Sequence, residues 1–336
     1  MRGVLKIVLV AAAIGGGWWF LQQYEVHGLK NLRLTKRDGS TTGFPWQAPA
    51  ATWTAETDVP VERASDTIRI ATFNLQVYGR TKADKPHVVD LLSRVLRQFD
   101  VIAVQEIRAL DQDVLPRLVD QINAAGRQYD YVIGPRLGRT DNKEQYAFIF
   151  DRASVEIDRF QLYTVDDPDD LLHREPLVGW FRVRGPAAQE AFTFTLVNIH
   201  TDPDEVRQEL DVLDDVFRFV LGDGRQEDDL IMLGDFNADD RHLGQLGLVS
   251  ELMPAILALP TTTRGTEQYD NILFSGLATT EFTGRAGVLD FLREYNLTME
   301  QALEISDHLP VWAEFTVYEG GQPGRVAAQP LVSGSR

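Results

Sequence analysis

The chain has 336 residues, 44% of them hydrophobic and 25% charged, which is enough apolar content for one large domain or two small ones. It contains no cysteine, which excludes a disulfide framework and a thiolate metal centre. Its formal net charge of -17 argues against a tight, salt-sensitive nucleic-acid-binding module, although an enzyme that turns over needs no such grip.

Residues 4–21 are apolar except for Lys6, a run of about 18 residues that is long enough for a short membrane span. Arg2 precedes it, and Trp18-Trp19-Phe20 forms an interfacial belt at its far end. A secretory signal is the alternative. No small-residue cleavage pattern follows the aromatics, so residues 1–24 are read as an uncleaved single-pass anchor with the following domain exported. Lys30, Arg33, Lys36 and Arg37 pull the orientation the other way. Residues 25–66 are read as a linker, rich in Thr, Ala and Pro from Asp38 onwards. The globular domain is placed at 67–318, and Gly320-Gly321-Gln322-Pro323-Gly324 opens a tail, 319–336, expected to be disordered.

Strand and helix signals alternate inside the domain. Ile68–Phe73 reads as a strand, and Val88, Val89, Leu91, Leu92, Val95 and Leu96 form a helical stripe opened by Pro86. A strand at Val101–Val104 and a helix at Val114–Ile122 follow. Further strands are expected at Tyr129–Ile133, Tyr146–Phe150, Val155–Leu162, Val178–Val183 and Phe192–Ile199. A helix over Glu205–Leu221 precedes strands at Leu230–Leu233, Asn271–Phe274 and Val311–Val317. Many consecutive strands with interspersed helices predict an α/β four-layer sandwich: two packed mixed β-sheets flanked by helices.

Polar residues recur where these strands end. Asn74 ends the first, Glu106 follows Val101–Val104, His200 ends Phe192–Ile199, and Asp235 and Asn237 follow Leu230–Leu233. Asp270 opens Asn271–Phe274, and Asp307-His308 precedes the last strand. A single such residue is usually a cap or turn former. Several carboxylates at one sheet edge repel one another unless a cation lies between them. Oxygen donors without thiolates suit a hard ion such as Mg²⁺, Mn²⁺ or Ca²⁺. A metal-dependent phosphoester hydrolase is the reading that follows. His27, His87, His173 and His242 read as surface or loop residues.

Several segments carry a resemblance: Ala71-Thr72-Phe73-Asn74, Val104-Gln105-Glu106-Ile107-Arg108, Lys143-Glu144-Gln145-Tyr146, Arg174-Glu175-Pro176, Val197-Asn198-Ile199-His200, Gly234-Asp235-Phe236-Asn237-Ala238-Asp239, Tyr269-Asp270 and Ile305-Ser306-Asp307-His308. From Ile68 to Phe315 the chain resembles the endonuclease/exonuclease/phosphatase superfamily, and within it the pancreatic deoxyribonuclease I branch. The resemblance implies that Glu106, Asn74 and Asp307 hold one Mg²⁺, with Mn²⁺ as an alternative. It implies that Asp235 and Asn237 bind a second metal or the scissile phosphate. His200 and His308 would be the acid–base pair, oriented by Glu144 and Asp270 respectively. Arg174 would contact substrate phosphate and Arg108 the DNA minor groove.

Two positions depart from the branch's pattern. Asn142 stands where a minor-groove Tyr is expected, and Gln76 where a phosphate-contacting Arg is expected. The loop carrying Asp166, Asp167, Asp169 and Asp170 lacks the branch's disulfide. It could bind Ca²⁺ as a structural ion, although a solvated acidic loop is favoured. The implied function is hydrolysis of DNA with low sequence specificity by a monomer tethered to a membrane. A phospholipid, inositol phosphate or other small phosphodiester is the alternative substrate, and a non-catalytic module on the same scaffold is the least favoured reading.

Overall fold

The computed structural model describes residues 24–27, 33–36, 66–139 and 143–321. The apolar run at 4–21, Asn142 and the tail beyond 321 lie outside them. No helix among the described residues is long and apolar enough to cross a membrane. The chain divides into two compact units, 1–59 and 60–336. In the first, β1 (Tyr24–His27) and β2 (Arg33–Lys36) pair antiparallel with Val26 opposite Leu34, inside the segment read as linker. Their period-2 alternation spans four residues each, too short to separate from chance in the sequence.

The second unit runs β3 (Thr67–Tyr78), α1 (Arg80–Ala83), α2 (Pro86–Leu96), β4 (Val101–Ile107), α3 (Val114–Asn123), β5 (Tyr129–Ile133), β6 (Gln145–Asp151), β7 (Val155–Ile157), β8 (Tyr163–Thr164) and β9 (Leu177–Val183). It continues through β10 (Thr193–His200), α4 (Val206–Leu221), β11 (Leu230–Asp235), β12 (Leu252–Pro254), β13 (Asp270–Ser275), β14 (Phe282–Val288), α5 (Phe291–Glu294), α6 (Met299–Ile305) and β15 (Val311–Thr316). One sheet has the order β14-β15-β3-β4-β6-β5 and the other β12-β13-β11-β10-β9-β7, with β8 also on β9. Among the described residues only β3/β4 and β10/β11 pair in parallel, so both sheets are mixed, as expected.

Alternation along the strands feeds three cores. In β4, Val101 and Ala103 face the inter-sheet core with Ile70, Phe148, Phe181, Phe194 and Phe315. Ile102 and Val104 face the other way, against Leu92 of α2, Leu118 of α3 and Ala302 of α6. On the second sheet, Val197, Ile199 and Met232 pack under Leu213 and Phe217 of α4. Because both faces of the central strands are covered, their sequences read as continuous apolar runs rather than alternating ones.

Some expectations fail for local reasons. The strand expected over Val155–Leu162 stops at Ile157, because Asp158 Oδ1 accepts the Phe160 amide at 2.9 Å and turns the chain into a 3₁₀ turn, Arg159–Gln161. β14 went unpredicted because Gly284 and Gly287 dilute its pattern and a register shift interrupts its pairing with β15. α6 opens on a capping box, Thr298 with Gln301, a sequence signature of a helix N-terminus. Glu319–Gly321 is ordered as a 3₁₀ turn, three residues past the expected boundary. His173, read as a surface or loop residue, lies in the loop before β9 and is buried there, with Nδ1 3.4 Å from Asp202.

Gly234 of β11 lies directly against Ile199 of the parallel strand β10. Its φ is +155°, and a Cβ there would lie 1.9 Å from the Ile199 carbonyl oxygen. Gly234→Ala is therefore expected to destabilise the domain by about 2–3 kcal/mol, read as a lower denaturation midpoint, by pushing β11 off β10. Wild-type stability in this variant would refute the close approach.

Candidate active site

The parallel pairs β3/β4 and β10/β11 end at one rim, and their antiparallel neighbours β6, β13 and β15 begin there. That topology delivers Asn74, Glu106, His200 and Asp235 from strand C-termini, and Glu144, Asp270, Asp307 and His308 from strand starts. The backbone at this rim is strained. Gln76, Val77, Glu106 and Asn237 all have positive φ, at 44°, 52°, 61° and 47°. Both ladders of β4 shift register beside Glu106, between Asn74 and Tyr78 and between Val104 and Ile107. The bulge turns Glu106 out of the ladder, where its Oε2 accepts the Val77 amide at 2.8 Å.

Asn74 ties the two sheets together. Its Nδ2 donates to Asp235 Oδ2 at 3.0 Å and to Glu106 Oε1 at 3.3 Å, while its Oδ1 accepts the Gln76 amide at 2.9 Å. Asp235 Oδ2 also faces both imidazoles, 3.6 Å from His200 Nε2 and 3.6 Å from His308 Nε2. Each ring is held from behind. His200 Nδ1 lies 2.8 Å from Glu144 Oε1, and His308 Nδ1 2.8 Å from Asp270 Oδ2, which also accepts from Thr261 Oγ1 at 2.7 Å. A carboxylate on Nδ1 fixes the tautomer and leaves Nε2 to face the site.

Electrostatics follow from this crowding. Burial works against a charged His308, but Asp270 and Asp235 overcome it and lift the ring to about 10. Burial likewise opposes a charged His200, yet Glu144 and Asp235 leave its pKa raised. Burial would raise Glu144, but His200, Arg174 and Arg108 outweigh it and hold the carboxyl below its usual range. Asp270 stays raised by burial in spite of His308, with Asp235 adding to the effect. An unfolded His titrates near 6.5, so folding favours the cationic ring of His308. That contribution to stability is complete below roughly pH 6.5 and fades as pH climbs towards about 10. Asp270→Asn is expected to lower the His308 midpoint by roughly one unit or more, read from imidazole NMR shifts in EDTA-treated protein. An unmoved midpoint would mean that Asp270 does not charge the ring.

The remaining expected residues fall less simply. Asp307 is half exposed, with Oδ1 3.9 Å from His308 Nε2. Ser306 Oγ donates to the Asn74 carbonyl at 2.7 Å, tying the loop before Asp307 to the end of β3. Asn237 donates Nδ2 to the Thr201 carbonyl at 2.9 Å, and its own amide reaches Asp235 Oδ1 at 3.0 Å. Arg108 lies 3.1 Å from Glu106 and 3.7 Å from Glu144, so its guanidinium neutralises the site instead of projecting outward. Arg174 is only 6% exposed, with Nε 3.3 Å from Glu144 and NH1 on the His200 carbonyl. Arg174 thereby packs behind the Glu144–His200 pair. Gln76, already short of the expected Arg, uses its backbone amide on Asn74.

Sequence reasoning missed Lys82. Its ammonium binds the carbonyls of Leu75, Gln76 and Ile305, pinning the end of β3 to the loop that leads to His308. Burial lowers its pKa to about 8 against the opposing pull of Asp307 and Glu106. No motif surrounds it, so only the fold reveals the role.

The donor set fits a hard cation. Asp235, Asp270 and His308 bring ligand atoms within 4.8 Å of one another, and Asp270 Oδ1 is buried without a hydrogen-bond partner, whereas Glu144 Oε2 faces Arg174 and Arg108. Among the described residues, the carboxylates of the 166–170 loop form no such group. Asp170 there is engaged by Arg139 at 3.0 Å, and Asp167 accepts the Leu172 amide.

Residues 71–308 match the Endonuclease/Exonuclease/phosphatase family. Deoxyribonuclease gamma of Rattus norvegicus is 31% identical over 261 residues, covering 73% of this chain and 83% of the relative. Deoxyribonuclease-1-like 2 of Mus musculus is 32% identical over 292 residues, covering 82% and 100%. Deoxyribonuclease-1-like 1 of Sus scrofa is 34% identical over 265 residues, covering 75% and 82%. Among solved structures, D. rerio TDP2 humanized by 14 mutations shares the fold, with a TM-score of 0.51 at 16% identity, covering 75% of this chain and 100% of that one.

Proposed function

This chain belongs to the endonuclease/exonuclease/phosphatase family, and from that premise we propose that it is a divalent-metal-dependent endonuclease that hydrolyses DNA phosphodiesters with low sequence specificity. The observation that carries the reading is the pair of imidazoles facing one another across Asp235, each backed by its own carboxylate. Relatives of this chain are named deoxyribonucleases, which favours DNA over other phosphodiesters.

Asn74, Glu106 and Asp307 would hold a Mg²⁺ ion, with Mn²⁺ as the alternative, and such an ion supplies Lewis-acid charge compensation and a more acidic water. Asp235 and Asn237 would place the scissile phosphate or a second ion. His308, kept cationic by Asp270 and Asp235, holds the proton for the leaving oxygen at Nε2. His200 is the partner that accepts a proton from the attacking water, oriented by Glu144 through Nδ1. Arg108 must leave Glu106 to reach a groove or phosphate, which couples substrate arrival to the release of a metal-ligand carboxylate. Export on an N-terminal anchor belongs to the same proposal and rests on the apolar run at 4–21.

The test is a substrate panel: supercoiled plasmid, RNA, a small bis-aryl phosphodiester and phospholipid vesicles, each with Mg²⁺ and with EDTA. Plasmid nicking that requires the metal supports the reading. Turnover of the lipid or small diester without nicking would transfer the same chemistry to a different substrate, the direction in which Gln76 and the buried Arg174 point.

A further inference from the structure

The acid–base machinery is divided between the two sheets. Asn74, Glu106, Glu144, Asp307 and His308 stand on β3 and β4 or just ahead of β6 and β15, all in one sheet. His200, Asp235 and Asp270 stand on β10, β11 and β13 of the other. Each imidazole is therefore backed by a carboxylate from the opposite sheet, His200 by Glu144 and His308 by Asp270, both at 2.8 Å. The contact of Asn74 with Asp235 at 3.0 Å crosses the same gap. Ladder hydrogen bonds within a sheet set none of these distances. They follow from how the sheets lie over one another.

Beneath the rim the sheets meet through Phe148, Phe181, Phe194 and Phe315, contacts that resist compression but are non-directional. A buried polar contact interrupts them. Gln105 precedes Glu106 on β4, Asn198 lies two residues before His200 on β10, and neither is exposed. Gln105 Nε2 donates to Asn198 Oδ1 at 2.7 Å and to Thr72 Oγ1 of β3 at 3.0 Å. Asn198 Nδ2 donates in turn to the carbonyls of Val104 and Ala147, each at 3.2 Å. β10 of one sheet is thus fastened to β3, β4 and β6 of the other. Those are the strands that carry or follow Asn74, Glu106, Glu144 and His200. Stability alone does not account for the pair. Gln105 Oε1 is buried without a partner, and apolar side chains of similar size would fill the space without that cost.

We propose that Gln105 and Asn198 are positioning residues, a directional pin between the sheets that fixes their lateral register and so the reach of each carboxylate to its imidazole. Hydrogen bonds weaken steeply off-axis, so several converging on one pair resist the sliding that phenylalanine contacts permit. A slip disturbs His200–Glu144 and His308–Asp270 together, because both bridge the gap. Asn74, Glu106 and Asp307 belong to a single sheet, so their mutual spacing survives the same slip. The consequence for turnover rests on the nuclease reading above; the geometry of the imidazoles does not.

The test uses the full chain carrying Asn198→Leu. The hydrogen-bonded Nδ1 protons of His200 and His308 give downfield resonances in proton NMR, and both should move upfield or broaden away. Mn²⁺ affinity, read by electron paramagnetic resonance, should stay within about twofold of wild type, since Asn74, Glu106 and Asp307 keep their spacing. On plasmid, kcat should fall by about 10–100-fold with KM nearly constant, the signature of misplaced catalytic groups. Gln105→Leu combined with Asn198→Leu should regain part of the lost stability, because no Gln105 donor is stranded, yet neither the resonances nor kcat. Should Asn198→Leu fail to fold, Thr72→Val removes a single acceptor at constant shape. It should displace the same resonances and lower kcat by about threefold or more, while Thr72→Ser keeps the wild-type rate. Unmoved Nδ1 resonances in Asn198→Leu or, in its place, Thr72→Val overturn the pin. So does a double variant whose turnover returns with its stability, or a loss of Mn²⁺ affinity as large as the loss of kcat, which would mean general loosening. A wild-type chain that nicks no plasmid refutes the nuclease reading, and displaced resonances in Asn198→Leu would still uphold the pin.

Discussion

Replacing His200 or His308 with Ala is expected to lower kcat on plasmid by about 10²–10⁴-fold, because each removes a proton carrier positioned at the reacting phosphate. The two losses should not add, since one missing proton transfer already stalls the cycle. Stability is the control, and the neighbours of each ring predict its cost. His308→Ala leaves Asp270 buried, but its raised pKa lets it take up a proton, and Thr261 remains as a partner. His200→Ala leaves Glu144 with Arg174 at 3.3 Å and Arg108 at 3.7 Å. Each variant should therefore lose about 1–3 kcal/mol and stay folded. Glu144→Gln and Asp270→Asn should keep more activity than loss of the ring they orient, since each retains a hydrogen-bonding group at Nδ1. If either His variant nicks plasmid at the wild-type rate, the acid–base assignment fails.

The fold was largely readable because its central strands are covered on both faces. Runs such as Val101–Val104 and Leu230–Leu233 stay apolar, and Pro86 and Gly126 bracket helices. What could not be read is where a strand stops within a polar context, as at Asp158, or whether a glycine-rich stretch such as β14 pairs at all. In the site, residue type and strand-end position singled out Asn74, Glu106, His200, Asp235, Asp270 and His308, and the fold brings these six side chains to one rim. Burial could not be read. Arg108 and Arg174 are basic residues in the right segments, yet the fold turns both inward onto Glu144. Lys82 is equally invisible in sequence because its partners are backbone carbonyls.

The strain at the catalytic rim has a physical role. Val77 is β-branched and sits at a φ of 52°, and Glu106 at 61°, conformations that cost free energy unless surrounding bonds over-determine them. Those bonds are present: Val77 N to Glu106 Oε2, Asn74 across to Asp235, and Lys82 across to Ile305. The bulge therefore fixes Glu106 through the protein's own bonds, so a cation bound there as proposed would lose less ordering entropy.

EDTA is accordingly expected to abolish turnover, and added Mg²⁺ or Mn²⁺ to restore it. At Glu106 the protein's own compensating charge comes from Arg108 at 3.1 Å. Arg108 and Lys82 are the cations near Glu106, and Lys82 is committed to carbonyls. Glu106→Gln removes a charged ligand while Gln can still accept the Val77 amide, so the fold should survive. The metal concentration for half-maximal activity should rise at least about tenfold, with a further loss in kcat even at saturation. Asp235→Asn should be more severe. It removes the charge shared by both imidazoles, lowering their pKa values together, and disturbs the acceptor that Asn74 uses to join the sheets. A Glu106→Gln variant with unchanged metal dependence would show that the ion is held elsewhere, with the Asp235, Asp270 and His308 group as the first alternative. Activity that survives exhaustive chelation would remove the metal from the mechanism and leave the two imidazoles to act alone.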